Sequence, residues 1–260
     1  MSRRPVVFLT GASSGIGMAL AREYAARGAV LGLAARREDA LRALAAELGV
    51  PCHLYPLDVR DCAALAAAGR DFIARAGTPD IVIANAGISV GTLTEEADDL
   101  ASFRAVLDTN VLGMVHSFQP FVAAMRAAGR GRLVGVASVA GIRGLPGAGA
   151  YCASKAAAIA YLESLRVELR GSGIRVVTLA PGYIATPMTA HNPYPMPFLM
   201  PADQAARGMA RHIERGSRFA VMPWPMDLVA RLLRLLPRPL FDAAFARAGR
   251  KPRMPVPPHS

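Results

Sequence analysis

Cysteine is scarce. Three occur in 260 residues, at Cys52, Cys62 and Cys152. An odd number with no CxxC pair supports neither a disulfide framework nor a thiolate zinc site, and it suits a reducing compartment. The five histidines, His53, His116, His191, His212 and His259, put no two at ligand spacing on one helix face, so no metal is expected. No uncharged apolar run approaches about 18 residues, which leaves nothing to span a bilayer. The opening MSRRPVVFLTG sets two arginines before an apolar run. Val6–Leu9 is too short for a signal-peptide core and leads straight into a glycine-rich turn, so it reads as a first strand. Lysine is almost missing too: of 30 basic residues, only Lys155 and Lys251 are lysines.

What is present describes a folded enzyme-sized chain. Apolar residues make up 53 %, too many for disorder, and 260 residues bury a core without staples. The net charge is +11 and uneven: residues 1–200 carry 19 basic and 15 acidic side chains, residues 201–260 carry 11 and 4. The basic tail lacks interleaved aromatics, so no nucleic-acid partner is expected.

Strand-length apolar runs alternate with helix-length periodic segments. Strands are expected at Val6–Leu9, Val30–Ala35, Cys52–Leu57, Asp80–Ala84, Arg132–Ala137, Ile174–Leu179 and Arg218–Met222. Helices are expected from the glycine turn to about Arg27, then over Glu38–Leu48, Asp61–Ala76, Phe103–Ala128 and Tyr151–Arg170. This alternation implies right-handed βαβ units: an α/β fold, one doubly wound Rossmann-type domain over 1–225 with a parallel sheet of about seven strands and helices on both faces. His191–Pro201 places four prolines among apolar residues. Helix is disfavoured there, and a mobile apolar flap is expected.

Thr10-Gly11-Ala12-Ser13-Ser14-Gly15-Ile16-Gly17 follows the first strand and opens a helix. Glycines let backbone approach a pyrophosphate, and a helix N-terminus offers it free amides and a favourable dipole. At the end of the second strand, an acidic residue would take a ribose 2′-hydroxyl and an arginine a 2′-phosphate. The chain reads Ala35-Arg36-Arg37, which points to NADP(H), with Arg36 the main contact and Arg37 secondary.

Tyr151-Cys152-Ala153-Ser154-Lys155 sets a phenol and an ammonium on one helix face. The nearby cation favours the phenolate and makes Tyr151 a general acid/base for an alcohol oxygen. Ser138 ends the fifth strand, where ligands gather in such sheets, and can donate to a carbonyl oxygen. Asn110, inside the expected long helix, suits either a satisfied buried amide or a proton relay through water linked to Lys155.

The ordered set TGASSGIG, Ala84-Asn85-Ala86-Gly87, Asn110, Ser138, Tyr151-x-x-x-Lys155 and Pro181-Gly182-Tyr183-Ile184-Ala185-Thr186 resembles the motifs of the short-chain dehydrogenase/reductase family, in its short-subunit branch. The resemblance covers about residues 5–225. It implies a catalytic tetrad of Asn110, Ser138, Tyr151 and Lys155. It implies that Gly11, Ser13, Gly15, Ile16 and Gly17 line the cofactor phosphates and ribose, and that Asp58 and Val59 meet the adenine. Asn85, Ala86 and Gly87 would shape the site beside the cofactor, Lys155 would also bond the nicotinamide ribose, and Ile184 and Thr186 would hold the carboxamide. Ser14, Tyr151, Pro181 and Gly182 complete the cofactor-contacting set. The implied reaction is hydride transfer to a carbonyl carbon with Tyr151 protonating the oxygen. The specificity loops, 139–150 and 183–203, carry no readable substrate code. Similar enzymes pair through their two longest helices, so a homodimer is expected, with a tetramer left open.

Residues 226–260 form a basic extension that is not an independent domain. Leu228, Val229, Leu232, Leu235 and Leu236 fall on one side of a helix over Asp227–Leu236, with Arg231, Arg234 and Arg238 beside it. Pro237 and Pro239 end that helix, and Phe241–Ala248 adds a turn or two. Arg250–Ser260 reads as a frayed end. The leucine face can pack on its own domain or on a partner subunit, rest on an anionic membrane surface, or cover a lipophilic substrate. With the apolar flap, it points to a hydrophobic carbonyl substrate, such as an acyl chain or a steroid. The expected setting is cytoplasmic, with peripheral contact at the inner face of a membrane. The competing function is a cofactor-binding sensor or scaffold with little turnover, against which the intact tetrad argues.

Overall fold

A computed structural model describes residues 4–246 and 248–253. The expected stretch 254–260 of the frayed end lies outside them. The chain runs β1 (Val6–Thr10), α1 (Gly15–Ala26), β2 (Val30–Ala35), α2 (Glu38–Leu48), β3 (Cys52–Pro56), α3 (Cys62–Ala76), β4 (Ile81–Ala84), α4 (Asp99–Leu107), α5 (Gly113–Ala127), β5 (Gly131–Val136), α6 (Gly149–Glu168), β6 (Ile174–Pro181), β7 (Ile184–Ala185), β8 (Met200–Pro201), α7 (Ala202–Arg215), β9 (Phe219–Met222), α8 (Trp224–Leu235) and α9 (Arg238–Phe245).

Seven strands form one sheet in the order β3-β2-β1-β4-β5-β6-β9, and every pair is parallel. The pleat sends alternate side chains to opposite faces. Val7 and Leu9 therefore join Leu20, Tyr24, Leu41, Leu44, Met209 and Ile213 from α1, α2 and α7. Val6 and Phe8 join Leu65, Phe72, Phe118, Phe121, Leu162 and Leu165 from α3, α5 and α6. With both faces covered, the strands are continuous apolar runs, as parallel sheets require. The order reverses between β1 and β4, which makes a crevice at their carboxyl ends. Thr10, fully buried, ties that crevice together: its hydroxyl donates to the Ile83 carbonyl at 3.4 Å and accepts the amides of Asn85 at 3.2 Å and Ala86 at 3.3 Å.

Most expected boundaries hold within two residues, but three features differ. The long helix begins earlier than Phe103, at Asp99, and a wide π-helical turn at Asp108–Leu112 divides α4 from α5. Such turns admit one extra residue and mark functional positions; here it bears Asn110. A whole helix, α7, follows the proline-rich stretch where none was expected. Its buried stripe is Ala205, Ala206, Met209, Ala210 and Ile213, whose small alanines give a weak apolar signal. In the tail, the leucine stripe does not pack on its own domain. α8 buries Met226 and Ala230 against Val139, while Leu228, Leu232 and Leu235 face outward. Pro239 lies in the first turn of α9, where a missing amide hydrogen costs nothing, so the proline pair opens a second helix as well as closing the first.

Candidate active site

The glycine turn sits at the switch point. Gly11 holds a left-handed φ of 70°, and a Cβ there would meet the Ala86 Cα at 2.8 Å. A Cβ on Gly17 would overlap the Gly11 carbonyl. Ser14 caps α1 in extended conformation with no side-chain hydrogen bond to the helix, so the amides of Gly15, Ile16 and Gly17 meet no capping oxygen. A twelve-residue helix with an uncapped start beside glycine fits a dinucleotide pyrophosphate. Arg37 reaches across to Ser13, donating to its carbonyl at 3.0 Å and its hydroxyl at 3.2 Å. Arg36 is exposed at the end of β2, close enough to Asp58 for its charge to act there. Burial works against the Asp58 carboxylate, but hydrogen bonds from Arg60 outweigh it and hold Asp58 below the usual carboxylate range. The Val59 carbonyl is held by His116 Nδ1 at 3.0 Å.

The strand after the turn contributes Asn85, whose amide group donates to the carbonyls of Thr10 at 3.1 Å and Gly11 at 3.3 Å. Gly87 lies between Asn110 and Lys155. A Cβ there would lie 3.1 Å from Asn110 Oδ1 and 3.6 Å from Lys155 Nζ. Asn110 is buried and fully engaged. Its Oδ1 accepts the Ile88 amide at 2.8 Å, and its Nδ2 donates to the Ile88 carbonyl at 3.0 Å and to Ser154 Oγ at 2.9 Å. Ser154 Oγ in turn donates to the Tyr151 carbonyl at 2.7 Å, so Asn110 couples the Gly87 segment to the first turn of α6.

Tyr151 and Lys155 stand one turn apart on α6, with Lys155 Nζ 5.7 Å from the Tyr151 ring centre. Lys155 is buried and donates to the Val136 carbonyl at 2.9 Å. Desolvation lowers its pKa to about 8. Burial pushes the Tyr151 phenol up to about 12, against which a hydrogen bond with Ser138 pulls downward. Ser138 Oγ also donates to the Pro181 carbonyl at 3.3 Å and accepts the Ala140 amide at 3.2 Å. Gly182 is pinned by its amide to the Met222 carbonyl at 2.8 Å. Thr189 holds the Ile184 carbonyl and the Thr186 amide, and Thr186 packs within 3.2 Å of where a Gly15 Cβ would lie. A cavity of about 460 Å³ opens on the outer side of this contact, between Ser14, Met18, Arg22, Thr186 and Arg207.

The expected residues therefore converge on one crevice. Thr10 and Ser154, which fix its geometry, were not singled out from the sequence. Thr10 precedes the glycine turn and Ser154 precedes Lys155, but neither spacing announces a partner some 44 to 76 residues away.

A doubly wound sheet with its polar groups gathered at the strand ends belongs to the dinucleotide-binding α/β class. Comparison with known proteins is more specific. The family model described as short chain dehydrogenase matches residues 5–195. An uncharacterized oxidoreductase of Myxococcus xanthus is 42 % identical over 242 residues, covering 92 % of this chain and 95 % of that protein. The 11-beta-hydroxysteroid dehydrogenase A of Arachis hypogaea is 40 % identical over 191 residues, 71 % of this chain and 53 % of that one. Among solved structures, the alcohol dehydrogenase of Thermococcus sibiricus complexed with 5-hydroxy-NADP superposes with a TM-score of 0.75 at 28 % identity, covering 85 % of this chain and 96 % of that one. Levodione reductase gives 0.76 at 28 % identity, with 85 % and 97 % covered. The chain belongs to the short-chain dehydrogenase family. It is an oxidoreductase, in a family that uses nicotinamide cofactors.

Because the chain holds two lysines, their titration can be followed directly after labelling lysine side chains with carbon-13. Lys155 is expected to lose its charge near pH 8, charged below and neutral above, and Lys251→Arg assigns the signal. A midpoint in the ordinary lysine range near 10.5 contradicts the buried, unpaired setting.

Proposed function

We propose that the protein is an NADP(H)-dependent oxidoreductase that interconverts a carbonyl and a secondary alcohol, working as a reductase of a hydrophobic ketone such as an acyl or steroid compound. The observation that carries this reading is the Tyr151 phenol, on whose pKa Ser138 pulls downward, with a buried ammonium one helix turn away. The bound dinucleotide supplies the hydride. Ser138 donates to the carbonyl oxygen and orients it, and Tyr151 delivers its proton to that oxygen as negative charge develops there. A phenol with its pKa near 12 holds that proton at neutral pH, and Lys155, charged below about pH 8, stabilises the phenolate left behind. Asn110 acts as a positioning residue, since both amide hydrogens are already engaged. The expected relay through water would then start from Lys155, whose bond to Val136 uses one of its three hydrogens.

NADP(H) is favoured because β2 ends in Ala35, with no carboxylate to repel a 2′-phosphate, and two guanidinium groups follow. An apolar substrate body is favoured by the flap, which leaves Phe198 and Leu199 exposed. The flap also brings Tyr194 close enough to affect the Tyr151 phenol.

Two surfaces support the expected partners. Leu112 and Val167 are exposed on the long-helix layer, as a dimer through Asp99–Ala127 and α6 would need. Trp224, Leu228, Leu232, Leu235 and Leu240 stand outward beside Arg234 and Arg238, as contact with an anionic bilayer would need.

Tyr151→Phe is expected to lower turnover by about 10²–10⁴-fold with dinucleotide binding retained; full activity refutes the mechanism, and no wild-type turnover on any carbonyl would favour the sensor reading. NADPH should bind at least about tenfold more tightly than NADH, and Arg36→Ala should remove most of that preference; equal affinities in the wild type refute the NADP(H) assignment. In sedimentation with anionic and neutral vesicles, Leu232→Glu should lose binding to the anionic ones only. Wild-type protein that stays in the supernatant removes the membrane contact, and a monomer by light scattering removes the dimer.

A further inference from the structure

Through Arg253, the basic tail stays on the domain. After α9 the chain turns back over the site. Arg143, in the loop after β5, donates to the Leu236 carbonyl at 3.2 Å and lies 4.3 Å over the Phe241 ring. Gly249 packs on Tyr194 of the flap, and Arg250 packs on Gly147. Residues 252 and 253 then pair with Gly91: the Gly91 amide donates to the Pro252 carbonyl at 2.9 Å, and Gly91 and Arg253 form a parallel bridge. Gly91 has no room for a side chain, because a Cβ would overlap the Lys251 carbonyl. Arg253 is clamped by Asp99 at 2.9 Å and Glu96 at 3.2 Å. Contacts with four separate segments hold residues 249–253 in place.

Lys251 sits in the middle of this span. Its ammonium lies 5.6 Å from the centre of the Tyr151 ring, matching the 5.7 Å of Lys155. Both lysines of the chain thus border one tyrosine. The Lys251 side chain makes no hydrogen bond or ion pair with any described residue, whereas Arg253, two residues on, is paired twice. It is partly buried, and desolvation lowers its pKa, with the nearby Cys152 opposing. A cation held half out of water with no counter-ion is costly unless an anion joins it. The carboxylates that the tail meets here, Glu96 and Asp99, are taken by Arg253.

We propose that Lys251 is a specificity-determining residue that selects carbonyl substrates bearing a carboxylate, or a similar anion, within a few bonds of the ketone. This rests on the carbonyl–alcohol reading of the site and narrows it from a hydrophobic ketone to an amphiphilic keto acid. The apolar flap takes the carbon chain, Ser138 and Tyr151 take the carbonyl oxygen, and Lys251 takes the anion. The ammonium is a mobile point charge on a flexible stem, which suits anions of varied reach better than a guanidinium fork does.

The test compares 4-oxodecanoate with its methyl ester under NADPH. The wild type should prefer the acid in kcat/KM by about tenfold or more, the scale of one charge-assisted hydrogen bond. Lys251→Met should collapse the acid-to-ester ratio, chiefly through KM for the acid, and Lys251→Arg should restore most of it. An unchanged ratio in Lys251→Met overturns the proposal. A second measurement does not depend on turnover: calorimetric binding of decanoate and of decanamide to the protein loaded with NADP⁺. Decanoate should bind the wild type more tightly than decanamide and lose about tenfold in Lys251→Met; equal decanoate binding by wild type and variant overturns the assignment. Failure to reduce either ketone, with decanoate binding still dependent on Lys251, would instead sink the reductase reading and leave the anion site standing.

Discussion

The constraint on which the site depends is an ammonium buried without a carboxylate. Lys155 is 4 % exposed, and its one hydrogen bond goes to the Val136 carbonyl. Burying a lone charge is expensive enough that the group gives up its proton more readily, hence the pKa near 8. Everything around it keeps that cost from being relieved in the wrong way. Gly87 leaves room beside Nζ, Asn110 spends its polar atoms on Ile88 and Ser154 and not on the lysine, and no described carboxylate pairs with Nζ. The charge is therefore unspent in the resting site, and in the proposed reaction a phenolate at Tyr151 would supply its partner at the moment of proton transfer. A carboxylate partner for Lys155 would make the fold more comfortable and the tyrosine a weaker catalyst.

The scaffold was largely legible because parallel strands buried on both faces are near-continuous apolar runs. The pattern marks Val30–Ala35 and Glu38–Leu48 to the residue, and Gly11, Gly15 and Gly17 point to a phosphate turn from spacing alone. The failures share a cause. α7 buries alanines, so its periodicity carries little hydrophobic weight. The π-helical turn arises because Asn110 is drawn to Ile88, a contact across 22 residues that no local pattern encodes. The leucine face of α8 leaves its own domain, a partner, a membrane and a substrate all open from sequence; in the fold, small Ala230 and flexible Met226 fill the narrow gap over Val139 instead. The convergence of the tetrad needed the resemblance as well as the pattern, since Ser138 and Asn110 are ordinary polar residues until the sheet brings them to Tyr151.

The charge imbalance of the last sixty residues also takes on structure. A basic tail suggests a solvated or lipid-facing end. Part of it is used internally: Arg253 closes on the acidic loop at Glu96 and Asp99, 154 residues from Asp99 in sequence. Pairing at such separation is invisible to composition, yet it decides where the tail lies and so what Lys251 can meet. Arg234 and Arg238 remain outside, next to exposed leucines, and the two halves of the basic tail thus face different surroundings.

This division explains why the family resemblance stops being informative where it does. The family model ends at residue 195, after every residue of the tetrad and the phosphate turn. Chemistry common to a family needs a fixed geometry around the reacting atoms, and the sheet ends supply it from within that span. Choice of substrate needs walls on the other side of the cleft, and in the proposed reading residues 183–203 and 249–253 would provide them from weakly patterned segments. A rigid scaffold with variable covering loops is how one fold serves many substrates. In this chain the cover is fastened by backbone pairing at Gly91 and by an arginine clamp, not by a large apolar interface.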